Sequence, residues 1–349
     1  MENITGYRIK SARKLKGLSL QNVADELGIS KQMISKYEKG LTIPPSSKLL
    51  MLAQLFDQKV DYFFRSFKIE LGEVNFRKKS NFGAKKQNAL KEEIKIKLEN
   101  YLWIEDILAI DYSFDNPIGN QPIKTIADIA AVVLHLREHW EIGIDPIHNI
   151  IQLLEDKAIK IIELMDADDK FDGLATYVDN KFPVIVVNGQ FPIERKRFTL
   201  LHELGHLLLN LPDCTLAEEE KFCHSFASEF LLPHHLLIHE FGNKRKRVSF
   251  TELVAIQKKY GISIPAVIYR LVDAGILPQE YHKQFSKKIN FNPSLKQAIR
   301  QSRFQTPEKS SRFKQLVYRA LAQEDISISK ASALLNTGID HIKENYALI

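Results

Sequence analysis

The sequence predicts a multidomain chain: an all-α domain at the N-terminus, an α+β domain in the middle and a helical region at the C-terminus. Three observations lead there. At 349 residues the chain is two to three times the length of a typical domain of ~150 residues. Residues 4–65 break into five short helical runs, punctuated by Gly, Ser or Pro where helices start and stop. Between about 159 and 189, β-branched runs with turn residues replace the helical periodicity that flanks them.

The elements follow in order. Ile9, Ala12, Arg13 and Lys16 keep helical spacing, and Gly17 stops that helix. Ser19 caps LQNVADELG, Ser30 caps KQMISKYEKG, and Pro44-Pro45 with Ser46-Ser47 turn and cap SSKLLMLAQLF. FRKKSNFGAKKQN is a basic connector, and the helix after it places Leu90, Ile94, Leu98 and Leu102 at i+4 spacing. Helical patterns follow at about 126–140 and 147–159. IKIIELM and GLATYVD…FPVIVVNG predict strands, with turns at Asp172-Gly173 and Asn188-Gly189. Long helices are predicted at 194–210 and from 215, a helix–turn–helix-like pair at 248–277, a loop at 290–305 and a last helical pair at about 308–345. The boundaries are a first domain at 1–66, a basic linker and connecting helix at 67–100, the α+β domain at 101–241 and a C-terminal helical region at 242–349.

Composition excludes several classes. Hydrophobic residues at 44% and charged residues at 26% are ordinary globular values. Two cysteines do not build a disulfide scaffold. No run approaches the ~18 apolar residues of a membrane span. The start of the chain has no continuous apolar core of a signal peptide, so a soluble, cytoplasmic protein is expected. Charge is uneven: residues 1–66 hold eleven Lys/Arg against six Asp/Glu, and 67–100 hold nine against five. A basic front suggests a polyanionic partner.

LQNVADELGISKQMISKYEKG has the layout of two short helices joined by a tight turn. Ala24 is small where the helices cross, Gly28 permits a left-handed turn, and Ile29 and Ile34 plug the joint. Gln21 stands at the start of the first helix, where its amide reaches a phosphate. Ser30, Lys31, Gln32, Ser35 and Lys36 lie on the outer face of the second, where base edges and phosphates are met. Residues 5–65 resemble the helix–turn–helix of phage-repressor-like (XRE-type) regulators. The resemblance implies a homodimer on the paired half-sites of a double-stranded DNA operator.

At 202–206 the chain reads His202-Glu203-Leu204-Gly205-His206. Histidines at i and i+4 share one helix face, so both imidazoles can meet one zinc ion, with Glu203 placed to take a proton from water there. The surrounding RFTLLHELGHLLLN is strongly apolar, and burying two histidines and a carboxylate in it is costly unless something pairs with them. A third ligand is needed. Glu220, in the acidic cluster Glu218-Glu219-Glu220, is the first choice; His224, one turn on, is the competing ligand or a donor to the ligands. Cys214 and Cys223 are weaker candidates, more naturally packed core. The pattern is that of a gluzincin-like zincin, and manganese suits the same two-His, one-carboxylate set.

FRKKS (76–80), FDGLATYVDNKFPVIVVNG (171–189), ERKRFTLLHELGHLLLN (194–210) and EKFCHSFASEFLLP (220–233) together resemble the ImmA/IrrE family of zinc metallopeptidases. YGISIPAVIYRL (260–271) and the segment 312–336 look like that family's C-terminal helices. The resemblance implies His202, His206 and Glu220 as zinc ligands and Glu203 as catalytic base. It departs at His224, where family members usually carry Asn. The family cleaves XRE-type repressors; here both kinds of domain lie in one chain.

The function expected is therefore a DNA-binding transcriptional regulator with zinc-dependent endopeptidase activity, cleaving a repressor-like or antitoxin protein, or itself. The alternative is a non-proteolytic regulator or antitoxin of a toxin–antitoxin pair, with the peptidase fold used for binding or sensing. A metal enzyme acting on a non-peptide substrate comes third. Three smaller features read as structural. Val184, Val186 and Val187 are sheet core, although an exposed strand edge there would accept a peptide. Arg195 and Arg197 read as solvated or structural helix-start cations, with binding of a substrate carboxylate as the alternative, and KRKR at 244–247 reads as a solvated loop, with contact to DNA phosphate as the alternative.

Overall fold

The computed structural model describes residues 4–66, 68–72, 83–111, 113–119, 121–212 and 214–346. FRKKS at 76–80 lies outside them. Helices α1 (Ile4–Leu15), α2 (Leu20–Leu27), α3 (Lys31–Glu38) and α4 (Ser46–Phe56), a 3-10 turn (Val60–Phe64) and the long α5 (Ala84–Ile107) begin the chain. Next come α6 (Ile126–His139), α7 (Ile150–Asp156) and strands β1 (Lys160–Leu164), β2 (Gly173–Val178) and β3 (Phe182–Asn188). They are followed by α8 (Ile193–Leu208), α9 (Leu216–Leu231), α10 (His234–Phe241), α11 (Phe250–Tyr260), α12 (Ile264–Asp273), α13 (Glu280–Phe291), α14 (Pro293–Gln301), α15 (Arg312–Ala322), α16 (Ile328–Leu335) and α17 (Ile339–Tyr346). The chain divides into two units: the described residues of 1–71, 75–111 and 313–349, and those of 72–74 and 112–312.

In the first unit, local capping sets the helices. The Ser19 hydroxyl accepts from Asn22 N–H while the Asn22 amide oxygen accepts from Ser19 N–H, closing a capping box on α2. Gly28 ends α2 at φ 63°, a left-handed conformation that a side chain would strain. Ile9, Val23, Ala24, Leu27, Ile34, Leu52 and Phe56 form the shared core. Arg13 clamps Glu38 at 2.5 and 3.0 Å, tying α1 to α3.

Helix α5 serves two partners. It lies along α1 as far as Glu99, which makes a buried pair with Arg8; burial pushes the Glu99 carboxyl up and the guanidinium opposes that push. Its last turns bury Tyr101 and Ile104, with Leu108 just after them, against Leu316, Val317, Ala320 and Leu321 of α15. The region read as one block at 242–349 is thus shared out: α11–α14 belong to the second unit, and the helices from 313 onward join α5 in the first. The apolar face of α15 fits the α5 stripe, a match that local periodicity does not specify.

The second unit is built on a three-stranded sheet of order β1-β3-β2. β1 runs parallel to β3, with Ile162 opposite Val186; β2 runs antiparallel to it, with Thr176 opposite Val184. β3 is therefore central and paired on both sides, so the substrate-accepting edge considered for it does not exist. The edge strand on that side is β2, and Gly72 N–H takes up part of its outer edge by donating to the Tyr177 carbonyl at 2.8 Å. The hairpin between β2 and β3 turns at Asp179-Asn180, both at φ 51°. Of the two predicted turns, the one at Asn188-Gly189 ends β3, whereas at Asp172-Gly173 the chain enters β2 directly. Asn188 also braces a neighbouring loop through the Phe171 carbonyl at 3.1 Å.

The segment 290–305 is not a loop. Asn292 caps α14 through Leu295 N–H at 3.0 Å and Pro293 begins it, so Asn-Pro here starts a helix instead of breaking one.

Buried charge locks the second unit together. Arg197 is fully buried and donates to Glu308 at 2.6 Å and to the carbonyls of Ile147 (2.7 Å), His148 (3.2 Å) and Tyr260 (3.3 Å). Arg195 stays at the surface, paired with Asp172 and stacked over Phe191. Glu155 on α7 accepts from the Ser310 hydroxyl, yet burial pushes its carboxyl up to about 7. A carboxyl raised in this way keeps its proton in the folded state. Folding stability therefore falls as pH rises from about 4.5 to 7, and stays at the lower level above that. Glu155→Gln should raise the melting temperature at pH 8, by the equivalent of about 2–3 kcal/mol, and leave it almost unchanged at pH 4.5. An equal shift at both pH values would contradict this account.

Candidate metal centre

The site lies where α8 and α9 cross. Helix α8 is buried along most of its length against β2, β3 and α9, and it presents His202 and His206 one turn apart. Gly205 sets the closeness of the crossing: a Cβ there would stand 3.3 Å from the Cα, Cβ and Sγ of Cys223 on α9. Cys223 is fully buried, and its Sγ lies 3.4 Å from His206 Nδ1. Cys214 is half-buried and lines a shallow pocket with Lys124, Glu218 and Lys221.

Glu218, Glu219 and Glu220 divide three tasks. Glu218 is exposed and caps α9 through Thr215, whose hydroxyl and N–H hold the carboxylate below its usual range. Glu219 accepts from His206 Nδ1–H at 2.7 Å. That bond fixes the tautomer and turns the His206 Nε2 lone pair into the site. Glu220 places one carboxylate oxygen 3.1 Å from His202 Nε2 and the other 3.5 Å from His206 Nε2. The two Nε2 atoms are 3.3 Å apart.

These three separations suit a metal. Bonds of ~2.0–2.1 Å to a tetrahedral ion set neighbouring ligand atoms ~3.4 Å apart. Burial holds His202 below the usual histidine range, which favours the neutral ligand form. His202 Nδ1 is buried without a hydrogen-bond partner. Two neutral imidazole nitrogens and a carboxylate cannot satisfy one another fully by hydrogen bonds alone, because lone pairs outnumber protons. A cation resolves this, and the donor set fits zinc.

His224 completes the cluster. Its Nδ1–H donates to the Glu220 backbone carbonyl at 2.7 Å, so Nε2 carries the lone pair. Its ring stands edge-on to His202 at 4.5 Å between centroids. His202, Glu220 and His224 each offer a ligand atom within 4.8 Å of the others. Glu203 is buried one residue after His202 and packs beside the first residue of β2, where its Cγ would stand 3.2 Å from a Cβ on Gly173. Sequence reasoning overlooked Glu219; the signal was present in the acidic triplet, but which carboxylate turns toward His206 depends on the helix crossing.

In the first unit, Gln21, Lys31, Gln32 and Lys36 are exposed on the outer side of α2 and α3, and Ser35 is half-buried. Gln21 is held by Asp25 at 2.7 Å, and the Ser30 hydroxyl oxygen accepts from Met33 N–H at 3.2 Å as the cap of α3.

Residues 9–63 match a family model described as helix-turn-helix, and residues 154–272 match one described as IrrE N-terminal-like domain. The chain thus carries an N-terminal helical helix-turn-helix domain and an IrrE-like α+β domain. Among curated proteins, an uncharacterized HTH-type transcriptional regulator of Rickettsia prowazekii is 34% identical over 64 residues, covering 18% of this chain and 49% of that protein. The HTH-type transcriptional regulator AnsR of Bacillus subtilis is 46% identical over 54 residues, covering 16% and 47%. The chain spans about half the length of the curated relatives it matches, and the matches are short, at 16–18% of this chain.

Gly205→Val should force α8 and α9 apart and cost about 1–3 kcal/mol of unfolding free energy in denaturant titration. An unchanged midpoint and slope would mean that the crossing tolerates the added side chain.

Proposed function

We propose that the chain is a DNA-binding transcriptional regulator carrying a zinc-dependent endopeptidase, which cleaves a repressor-like or antitoxin protein, or the chain itself. The observation that carries the reading is the trio of side chains, His202, His206 and Glu220, whose donor atoms stand 3.1–3.5 Å apart in the α8–α9 crossing, inside the segment that matches the IrrE-like model.

In this reading His202, His206 and Glu220 hold the metal, zinc by preference and manganese by the same donors. When bound, zinc lowers the pKa of water towards neutrality and polarises a peptide carbonyl. Glu203 takes the proton of the attacking water and returns it to the leaving amine, which requires the ionised carboxylate first and the acid second. Glu219 keeps His206 in the tautomer that ligation needs. The edge of β2 offers backbone groups to an extended peptide beside Glu203. Gln21, Ser30, Lys31, Gln32, Ser35 and Lys36 meet a DNA operator as a recognition surface, with two copies on paired half-sites. No helix of the described residues is long and apolar enough to cross a membrane; the proposed site of action is the cytoplasm, where the operator is.

A second reading has one observation in its favour. His224 adds a fourth donor to the cluster, and four protein ligands leave no open position for water. The metal would then be structural, and the domain a binding or sensing module of a regulator or antitoxin.

Elemental analysis of the purified protein should find about one zinc per chain, lost in His202→Ala and kept in Glu203→Gln. In cells expressing each form, new protein N-termini should appear with wild type, and Glu203→Gln should suppress them by about 10²–10⁴-fold. Zinc retained with no wild-type-specific N-termini would favour the second reading. A folded wild type that takes up no zinc would remove both.

A further inference from the structure

The second unit is electrically divided. Residues 101–241 carry ten Lys/Arg and twenty-four Asp/Glu, whereas 242–303 carry thirteen Lys/Arg and three Asp/Glu. Three of those thirteen cations are neutralised locally: Arg245 by Glu252, Lys259 by Glu240 and Arg270 by Glu229. The α13–α14 hairpin holds Lys283, Lys287, Lys288, Lys296, Arg300 and, just after it, Arg303, all exposed. Among the described residues none of these six stands in an ion pair with a carboxylate.

Their placement is one-sided. Tyr281, Phe285 and Ile299 turn the apolar side of the hairpin onto the core of the unit. Lys283 and Lys287, and Lys296 and Arg300, are i,i+4 pairs on the remaining side, where like charges repel one another unless an anion sits across them. The KRKR loop at 244–247 reaches the start of this hairpin: Arg245 N–H donates to the Ile276 carbonyl at 2.8 Å, and Val248 N–H to the Tyr281 hydroxyl at 3.5 Å. The stretch read from sequence as a solvated loop or a phosphate contact therefore stands beside the start of α13. The hairpin lies beyond residue 272, where the match to the IrrE-like model ends.

We propose that α13, α14 and the 244–247 loop form a second, sequence-independent binding surface for the phosphate backbone of duplex DNA, separate from the helix-turn-helix. Physical chemistry favours that partner over the others. A membrane-surface helix needs its apolar face free, and here that face is packed on the core. Protein interfaces are depleted of lysine at their centres, and four of the six cations are lysines. A single-strand track stacks successive bases on aromatic rings, and the hairpin turns outward only Phe291, 86% exposed. Phosphate contacts from Lys and Arg position a protein on a duplex without reading its sequence. Two duplex-binding surfaces in one chain raise the effective concentration of each at the DNA. The proposal does not depend on the metal centre or on the recognition helix.

The test is fluorescence anisotropy of the full-length protein on a labelled duplex of scrambled sequence, measured across a range of salt. The hairpin variant combines Lys283→Gln, Lys287→Gln, Lys288→Gln, Lys296→Gln and Arg300→Gln, exposed positions whose exchange leaves the core intact; an unchanged circular dichroism melt verifies this. A recognition-helix variant combines Lys31→Ala, Gln32→Ala and Lys36→Ala. The expected result is binding at least tenfold weaker for the hairpin variant, with a salt slope shallower by about 0.9 for each phosphate that the variant no longer neutralises, while the recognition-helix variant keeps most of its affinity for the scrambled duplex. Equal affinity and slope for wild type and hairpin variant would overturn the proposal, as would loss of binding only in the recognition-helix variant, which would leave the helix-turn-helix reading standing. Tighter binding to polyglutamate or to a single strand than to the duplex would overturn it as well.

Discussion

The crossing of α8 and α9 is the contact on which the second unit depends. Two helices rich in Leu and Phe meet over a glycine, and at that contact they bury imidazoles and carboxylates. Polar groups removed from water in this way are costly unless they find partners. Most of the cluster is partnered: His206 is aimed by Glu219, Glu220 faces both Nε2 atoms, and the His224 tautomer is set by the Glu220 carbonyl, while His202 Nδ1 is left without a hydrogen-bond partner. What remains is a set of donor atoms that face one another between the two helices at 3.1–3.5 Å.

The rest of the unit holds that crossing in place. Arg197, five residues before His202 on the same helix, gathers three backbone carbonyls and Glu308 at its buried guanidinium. Arg137 does the same on the far side, donating to the Phe230 carbonyl near the end of α9 at 2.7 Å and to the Asp145 carbonyl at 2.6 Å. Glu229 receives Arg270 and caps the start of α10 through His234 N–H at 2.7 Å. Removing one partner of such a buried pair leaves an uncompensated charge and is far more damaging than losing a surface ion pair. The arginines near the site thus serve as scaffold.

The first unit has a simpler logic. Caps at Ser19 and Ser30 and the left-handed turn at Gly28 define α2 and α3 locally, and α1, packed on both α3 and α5, joins them to the rest of the unit. Helix α5 is long enough to reach both α1 and α15, which draws the end of the chain into the same unit as its beginning. Charge follows a different division from the cores: the sheet region and its flanking helices are acidic, and the basic helices of 242–303 pack on the same core.

By itself, the sequence determined what is local. Capping residues, turn glycines and i,i+4 spacing are short-range physics, so the five N-terminal elements, the strands and the pairing of His202 with His206 on one helix face were legible. Tertiary structure decided what depends on which surfaces meet. It made β3 the central strand and β2 the edge, and turned an expected loop into α14 through the Asn292 cap. It also sent α15–α17 to α5, and gave three adjacent glutamates three different tasks. Adjacent residues on a helix point ~100° apart, so only the position of the facing helix selects which carboxylate caps, which orients a histidine and which faces the two Nε2 atoms.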